Sequence, residues 1–225
     1  QEETAKIWGC RFINKTSDEL LEYFSRVPQE TAAATAERWR KEATDVLEPS
    51  DADIIESARL YHAIAQMKVD TGADALTVDC LTLSYGEAYG SNKHMYTCLY
   101  HFEMNNAGEI GVCEADINAT ISTMLTLYLT GRPGFVSDPV IDTSSDQIIY
   151  AHCVACTKVY GRDDPRCCKH YIRSHAEDQL GAAGQVIFPA GEKLTTVMVN
   201  GLQKTAAIHS SESVGNVGGD EGCRS

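Results

Sequence analysis

The chain has no apolar run approaching the ~18 residues of a membrane-spanning helix, and it is short of basic residues. Lysine and arginine number 19 against 32 aspartates and glutamates in 225 residues, a net charge of −13. That balance excludes a broad phosphate-binding face and argues against nucleic acid as a partner. Aromatic content is only 8%, but hydrophobic residues reach 43%. The disordered, collagenous and disulfide-stapled classes are therefore excluded, and a chain of this length buries a real core. No GxGxxG, P-loop or GxSxG motif is present, which removes support for nucleotide-binding and serine-hydrolase readings. The segment from Gln1 carries no secretory-type apolar stretch, so no membrane and a cytoplasmic location are the expectation.

Cysteine is present, in the odd number of nine: Cys10, Cys80, Cys98, Cys113, Cys153, Cys156, Cys167, Cys168 and Cys223. Scattered single thiols in a chain with a sufficient core favour a reducing compartment over a disulfide framework. Most lie inside apolar runs, where cysteine behaves as a small hydrophobe. One cluster reads otherwise. Cys153-x-x-Cys156 followed by Cys167-Cys168-x-His170 offers donors for a structural zinc, although adjacent thiols rarely ligate one ion together.

The first 130 residues alternate strand-like and helix-like segments. Ile7 to Ile13 reads as a strand, and Thr16 to Glu19 as a capping box that starts a helix. Apolar residues recur at helical spacing from Glu30 to Leu47. A second box-like start, Ser50 to Asp53, opens a helix that stops before Gly72. Ala73 to Leu81 reads as a buried strand, Tyr96 to Asn105 as a helix and Ile110 to Cys113 as a short strand. Asp116 to Leu129 is a strong helix closed by Gly131 and Pro133. The alternation predicts α/β layering with a mainly parallel sheet over 1–130. From Gly131 onward apolar stretches become short and turn-separated, which predicts a β-rich domain over 131–225. Pro189 to Glu192 reads there as a hairpin connection, and Ser174 to Leu180 as a weak helix.

Two carboxylates stand out. Glu114 falls at a strand-to-helix junction, where ligands collect at the carboxyl end of an open α/β sheet. The plainer reading makes Asp116 a helix N-cap and Glu114 a first-turn charge. Asp138 follows a short apolar run and is held extended by Pro139. One helix separates the two carboxylates, so both can return to the same sheet edge. Carboxylates converging without a basic partner point to a divalent cation such as Mg²⁺ or Mn²⁺. His152 ends an apolar strand; such a histidine is more often a satisfied core residue, but near two carboxylates it completes an Mn²⁺-type set.

The stretch CEADINATISTMLTLYLTGRPGFVSDP, followed by IIYAHC, resembles the L-fucose/L-arabinose isomerase superfamily, in particular its fucose-isomerase-like branch. ADALTVDCL upstream, and RSHAED, GQVIFPAGEKLTTVMV and GDEGCRS downstream, are similar to further segments of that family. The resemblance implies a Rossmann-like parallel-sheet domain followed by a β-rich, barrel-like C-terminal domain. It also implies interconversion of an aldose and a ketose at a divalent metal, commonly Mn²⁺, through an enediol. The two metal-binding and catalytic carboxylates would fall on Glu114 and Asp138. Fucose isomerases take a histidine ligand from near their C-terminus, and no such segment precedes Ser225. The arabinose branch takes one closer to the second carboxylate, which makes His152 the metal-ligand candidate. Arg173 and His175, in RSHAED, would line the sugar pocket; the plainer reading makes them an exposed loop pair. The family also carries a further N-terminal α/β domain, so the expectation is a fragment of a longer, ring-like homo-oligomeric enzyme whose partner is a small sugar. A carbohydrate-binding or regulatory paralogue that kept the fold and lost the reaction is the alternative.

Overall fold

A computed structural model describes residues 1–85 and 95–217. The segment GDEGCRS and with it Cys223 lie outside the described residues. The chain is a mixed helix and strand protein with small sheets. Seven helices and eight strands are described: α1 (Glu2–Trp8), α2 (Ser17–Arg26), α3 (Gln29–Glu42), α4 (Asp51–Thr71), β1 (Leu76–Thr77), α5 (Cys80–Tyr85), α6 (Cys98–Asn106), β2 (Gly111–Val112), α7 (Ile117–Thr130), then β3 (Asp138–Asp142), β4 (Gln147–Ala151), β5 (Lys169–Arg173), β6 (Ala183–Ile187), β7 (Lys193–Asn200) and β8 (Thr205–Glu212).

The helices start where local hydrogen-bond chemistry directs. Thr16 and Glu19 form a reciprocal capping box on α2, and Ser50 and Asp53 form one on α4, each meeting two of the donors a helix start leaves unpaired. Alanines Ala32, Ala36 and Ala58 let α3 and α4 approach closely around Trp39, Ile54 and Leu99. On its other side α4 packs Leu60, Ala63, Ile64 and Met67 against Leu20 and Phe24 of α2 and Tyr100 and Met104 of α6. Strand β6 lies directly on α6: a Cβ on Gly184 would fall 2.8 Å from Phe102 Cδ2. The apolar clusters draw on residues before and after Gly131; Ile172 and Ala182 join Trp39, and Val154 and Ala183 join Cys98 and Cys113.

Several expectations are corrected. Residues 7–13 are not a strand. Helix α1 runs through Trp8 and ends at Gly9, a left-handed cap with φ of 70° whose N–H donates to Ala5 O at 2.9 Å. Trp8 then sits against the β7–β8 turn, its Nε1 3.6 Å from the position of a Cβ on Gly201. Helix α3 stops at Glu42 instead of continuing to Leu47. The main-chain N–H groups of Thr44 and Leu47 donate instead to His170 O and Ile172 O of β5, at 2.8 and 3.0 Å, and Val46 bridges Ile172. Residues 73–81 form only the two-residue strand β1. Asp79 then accepts from the N–H and hydroxyl of Thr82 at 3.1 and 2.7 Å, opening α5.

The sheets are smaller than the α/β expectation. Strands β1 and β2 form the one parallel pair among the described residues; β3–β4, β5–β6 and β7–β8 are antiparallel hairpins. Among the described residues after Gly131 every regular element is a strand, and each pairs with one other strand, β5 also bridging Val46. No closed barrel is present among the described residues. Pro189 to Glu192 is not a hairpin turn, because β6 pairs with β5 and β7 with β8. Residues 174–180 form turns instead of a helix. Among the described residues no helix is long and apolar enough to cross a membrane.

Candidate metal centre

Three elements deliver the three candidate donors. Strand β2 ends at Val112, and the chain turns through Cys113, Glu114 and Ala115 before Asp116 caps α7, its Oδ1 accepting from the Ala119 N–H at 2.9 Å. Asp116 is thus a structural cap, as its plain reading holds. Glu114 is not in the first helical turn. It has φ of 63° and Ala115 has φ of 53°, left-handed values that cost a non-glycine residue ~1–2 kcal/mol each. The Ala115 N–H, donating to Val78 O at 2.9 Å, holds the turn.

Asp138 and His152 come from one hairpin. The β3–β4 register pairs Asp138 with Ala151, so the residue after the strand, His152, lies beside Asp138. His152 Nε2 is 3.6 Å from Glu114 Oε1 and 4.0 Å from Asp138 Oδ2. One ligand atom from each of the three lies within 4.8 Å of the others. His152 is buried, Glu114 half-exposed and Asp138 exposed, with side-chain exposures of 3%, 39% and 70%. The centre therefore opens to solvent on its carboxylate side.

No protein-family model matches the chain, and a search of curated proteins finds no match. The chemistry of the centre is thus read from its donors.

Burial raises Glu114 above its ordinary value; the charge of His152 opposes the rise and that of Asp138 adds to it. Burial works against a charged His152, but its hydrogen bond with Cys153 and the charges of Cys153, Glu114 and Asp138 outweigh burial and push the ring up to about 9. One contact resists that rise: the Cys153 main-chain N–H donates to His152 Nδ1 at 2.9 Å, where a second proton would face it. In the neutral ring the proton accordingly sits on Nε2, toward the carboxylates.

This donor set fits a hard divalent cation. Among the described residues no lysine or arginine pairs with either of the two converging carboxylates, and oxygen donors with one imidazole suit Mn²⁺. Glu114 and Asp138 could hold such an ion as they stand. His152 could join them through Nε2 only once that proton leaves or moves to Nδ1, so any such role would be proton-linked.

A cavity of about 20 Å³ lies behind Glu114 and His152, lined among others by Cys80, Tyr85, Cys98, Cys113, Cys153 and His175. It has room for an ion or a water. His175 does reach this cavity, its Nδ1 3.3 Å from both Asp178 Oδ1 and Tyr85 Oη. Arg173 does not: its guanidinium pairs with Glu48, Nε donating at 2.9 and 3.2 Å. The zinc cluster does not assemble either. Among the described residues the groups able to hold a metal include Cys153, but none contains Cys156, Cys167, Cys168 or His170, and His170 stacks on Phe102 with ring centroids 5.0 Å apart.

Sequence reasoning missed Tyr85, Tyr96 and Asp178. Tyr85 Oη donates to Glu177 Oε2 at 3.0 Å, and Tyr96 hydrogen-bonds Asp178. The acidic pair after His175 was the available signal. The tyrosines give none, because their role depends on contacts 82 and 92 residues away in the chain.

Proposed function

We propose that the chain carries the metal centre of a divalent-cation-dependent aldose–ketose isomerase, acting on an open-chain pentose or deoxyhexose with Mn²⁺ as the cation. The observation that carries this reading is the convergence of Glu114, Asp138 and His152 within 4.8 Å, at the residues where the resemblance to fucose isomerases puts the metal-binding carboxylates. The parallel β1–β2 pair, leading through Glu114 into α7, supports a Rossmann-like layout for the first part of the chain. Cysteines held as thiols support a cytoplasmic location. Exposed apolar side chains such as Leu129, Ile141 and Ile208 support a homo-oligomer.

The reaction needs help because a C2 proton of an aldose is too weakly acidic for an unaided carboxylate. A Mn²⁺ held by Glu114 and Asp138 would supply Lewis-acid stabilisation of the negative charge that develops on the sugar. While the hydroxyl proton passes between O2 and O1, Glu114 moves the carbon-bound proton between C2 and C1. Its raised affinity for a proton brings it nearer the working range of a general base, and its left-handed turn fixes where the carboxylate points. Asp138 holds the cation from the solvent side. His152 orients both carboxylates and joins the ion when its Nε2 is unprotonated.

Incubation with a panel of pentoses and 6-deoxyhexoses in the presence of Mn²⁺ tests the reading, with ketose formation from at least one aldose as the expected result. Sugar binding without turnover across the panel overturns it in favour of the non-catalytic, carbohydrate-binding paralogue.

A further inference from the structure

Behind the carboxylates the donors change character. Cys98 opens α6, Cys153 follows His152, and His175 follows β5; all three are buried, and one ligand atom from each lies within 4.8 Å of the others. We propose that Cys98, Cys153 and His175 form a second metal site, selective for a thiophilic divalent cation of which Zn²⁺ is the representative. It uses neither Glu114 nor Asp138, so it stands or falls independently of the isomerase reading.

The donor chemistry argues for the ion class. Two thiols and an imidazole are soft-to-borderline ligands that favour zinc over manganese or magnesium. A tetrahedral ion with Zn–S near ~2.3 Å and Zn–N near ~2.0 Å needs ligand atoms less than ~4 Å apart, so the cluster closes on an ion with small side-chain movements. On binding, both thiols release their protons to solvent. Two thiolates then balance one divalent cation, and the buried site carries no net charge. Three protein ligands leave a fourth position, and the cavity of about 20 Å³ has room for a water there.

The second observation is the shell behind His175. Its Nδ1 faces Asp178 Oδ1 at 3.3 Å, while Asp178 is itself held by Tyr96 and accepts from the Leu180 N–H at 3.1 Å. A carboxylate on one ring nitrogen fixes the tautomer and directs the other nitrogen to a metal, the recurring arrangement behind zinc-ligating histidines. A ring nitrogen of His175 lies within 4.8 Å of both thiols, so the imidazole already sits beside them. The competing set, Cys113, His152 and Cys153, lacks this support. His152 Nδ1 accepts from the Cys153 N–H at 2.9 Å, its Nε2 faces the carboxylates, and Cys113 Sγ lies 3.5 Å from Cys80 Sγ.

The test uses the full chain, reduced and stripped of metal, titrated with Co²⁺ and then Zn²⁺. The expected result is a near-ultraviolet thiolate-to-cobalt charge-transfer band that saturates at one equivalent and is displaced by Zn²⁺. Cys98→Ser and His175→Gln lower the affinity for Co²⁺ at least tenfold, while Cys113→Ser and the double variant Glu114→Gln/Asp138→Asn keep the band. Absence of the band in the unaltered protein, or a band that survives Cys98→Ser and disappears in Cys113→Ser, overturns the assignment. Zinc-edge X-ray absorption of the unaltered, zinc-loaded protein serves where a variant fails to fold. Two sulfur scatterers with one imidazole support the site, and an oxygen/nitrogen-only shell rejects it.

Discussion

Asp138 and His152 meet because their hairpin is in register: Asp138 pairs with Ala151, and the next residue presents Nε2 4.0 Å from Asp138 Oδ2. Side chains alternate along a strand, so a one-residue slip would turn the Asp138 side chain to the opposite face. Glu114 reaches the same point from β2 and its left-handed turn, 3.6 Å from Nε2. The clustering of these three side chains is therefore a product of pairing and backbone conformation as much as of residue identity.

The left-handed turn stores energy that glycine would release. Ala115→Gly, at φ of 53°, removes a steric cost of ~1–2 kcal/mol against ~0.4–1 kcal/mol of added unfolded-state freedom. Urea denaturation is expected to show a gain of ~0.5–1 kcal/mol. A loss of stability would show that Ala115 is not strained.

Asp116 and Asp138 should separate cleanly. Asp116→Ala removes the α7 cap and costs ~1 kcal/mol of stability, with Mn²⁺ affinity retained. Asp138→Asn, at an exposed side chain, changes stability by less than ~0.5 kcal/mol and weakens Mn²⁺ binding at least tenfold. Thermal melts and the electron paramagnetic resonance of unbound Mn²⁺ read the two effects.

These contrasts show what the chain made legible. Thr16/Glu19, Ser50/Asp53 and the Asp116-to-Gly131 helix are written in local hydrogen bonds, and their caps form at those residues. Residues 44–47 and the partner choice of β6 are decided by distant strands, so local periodicity misassigns them. Residues 7–13 failed differently, since the helix-favouring start Glu2 to Lys6 carries the chain helically into Trp8. Glu114, Asp138 and His152, which spacing and resemblance single out, lie together in the structure. The pairing of Arg173 with Glu48, 125 residues earlier, is a contact that no local pattern announces.

Acid should unfold the protein through His101. Burial holds this histidine down to about 3, while the unfolded chain titrates near ~6.5. Below ~6.5 the unfolded state takes up a proton that the folded state refuses, so stability is full above that pH. It then falls by up to ~1.4 kcal/mol per pH unit on the way to about 3. Nuclear magnetic resonance should find His101 neutral at pH ~5 in the folded state; a protonated ring there contradicts the account.

His152 behaves in the opposite sense. In metal-free protein its raised value, about 9, gives stability that is present below ~6.5 and lost as pH rises through about 9. The same proton competes with the cation for Nε2. Calorimetric Mn²⁺ affinity is therefore expected to fall on acidification by up to tenfold per pH unit below about 9, and a pH-independent affinity would remove His152 from the ligand set.

Gly181 tests the support behind His175. Its φ is 61°, and a Cβ there would fall 2.1 Å from Tyr96 Cδ2. Gly181→Ala therefore forces Tyr96 off Asp178, with an expected cost of ~2 kcal/mol or more. A melting temperature unchanged by this substitution contradicts the packing described.

The most direct measurement is the entry of solvent deuterium into an aldose at C2, and into its ketose product at C1, with Mn²⁺ present, comparing the unaltered chain with Glu114→Gln. Proton transfer through Glu114 predicts exchange and ketose formation in the unaltered protein, both reduced about 10²–10⁴-fold by the substitution while Asp138 still retains Mn²⁺. Exchange and turnover at full rate in Glu114→Gln would contradict the central claim.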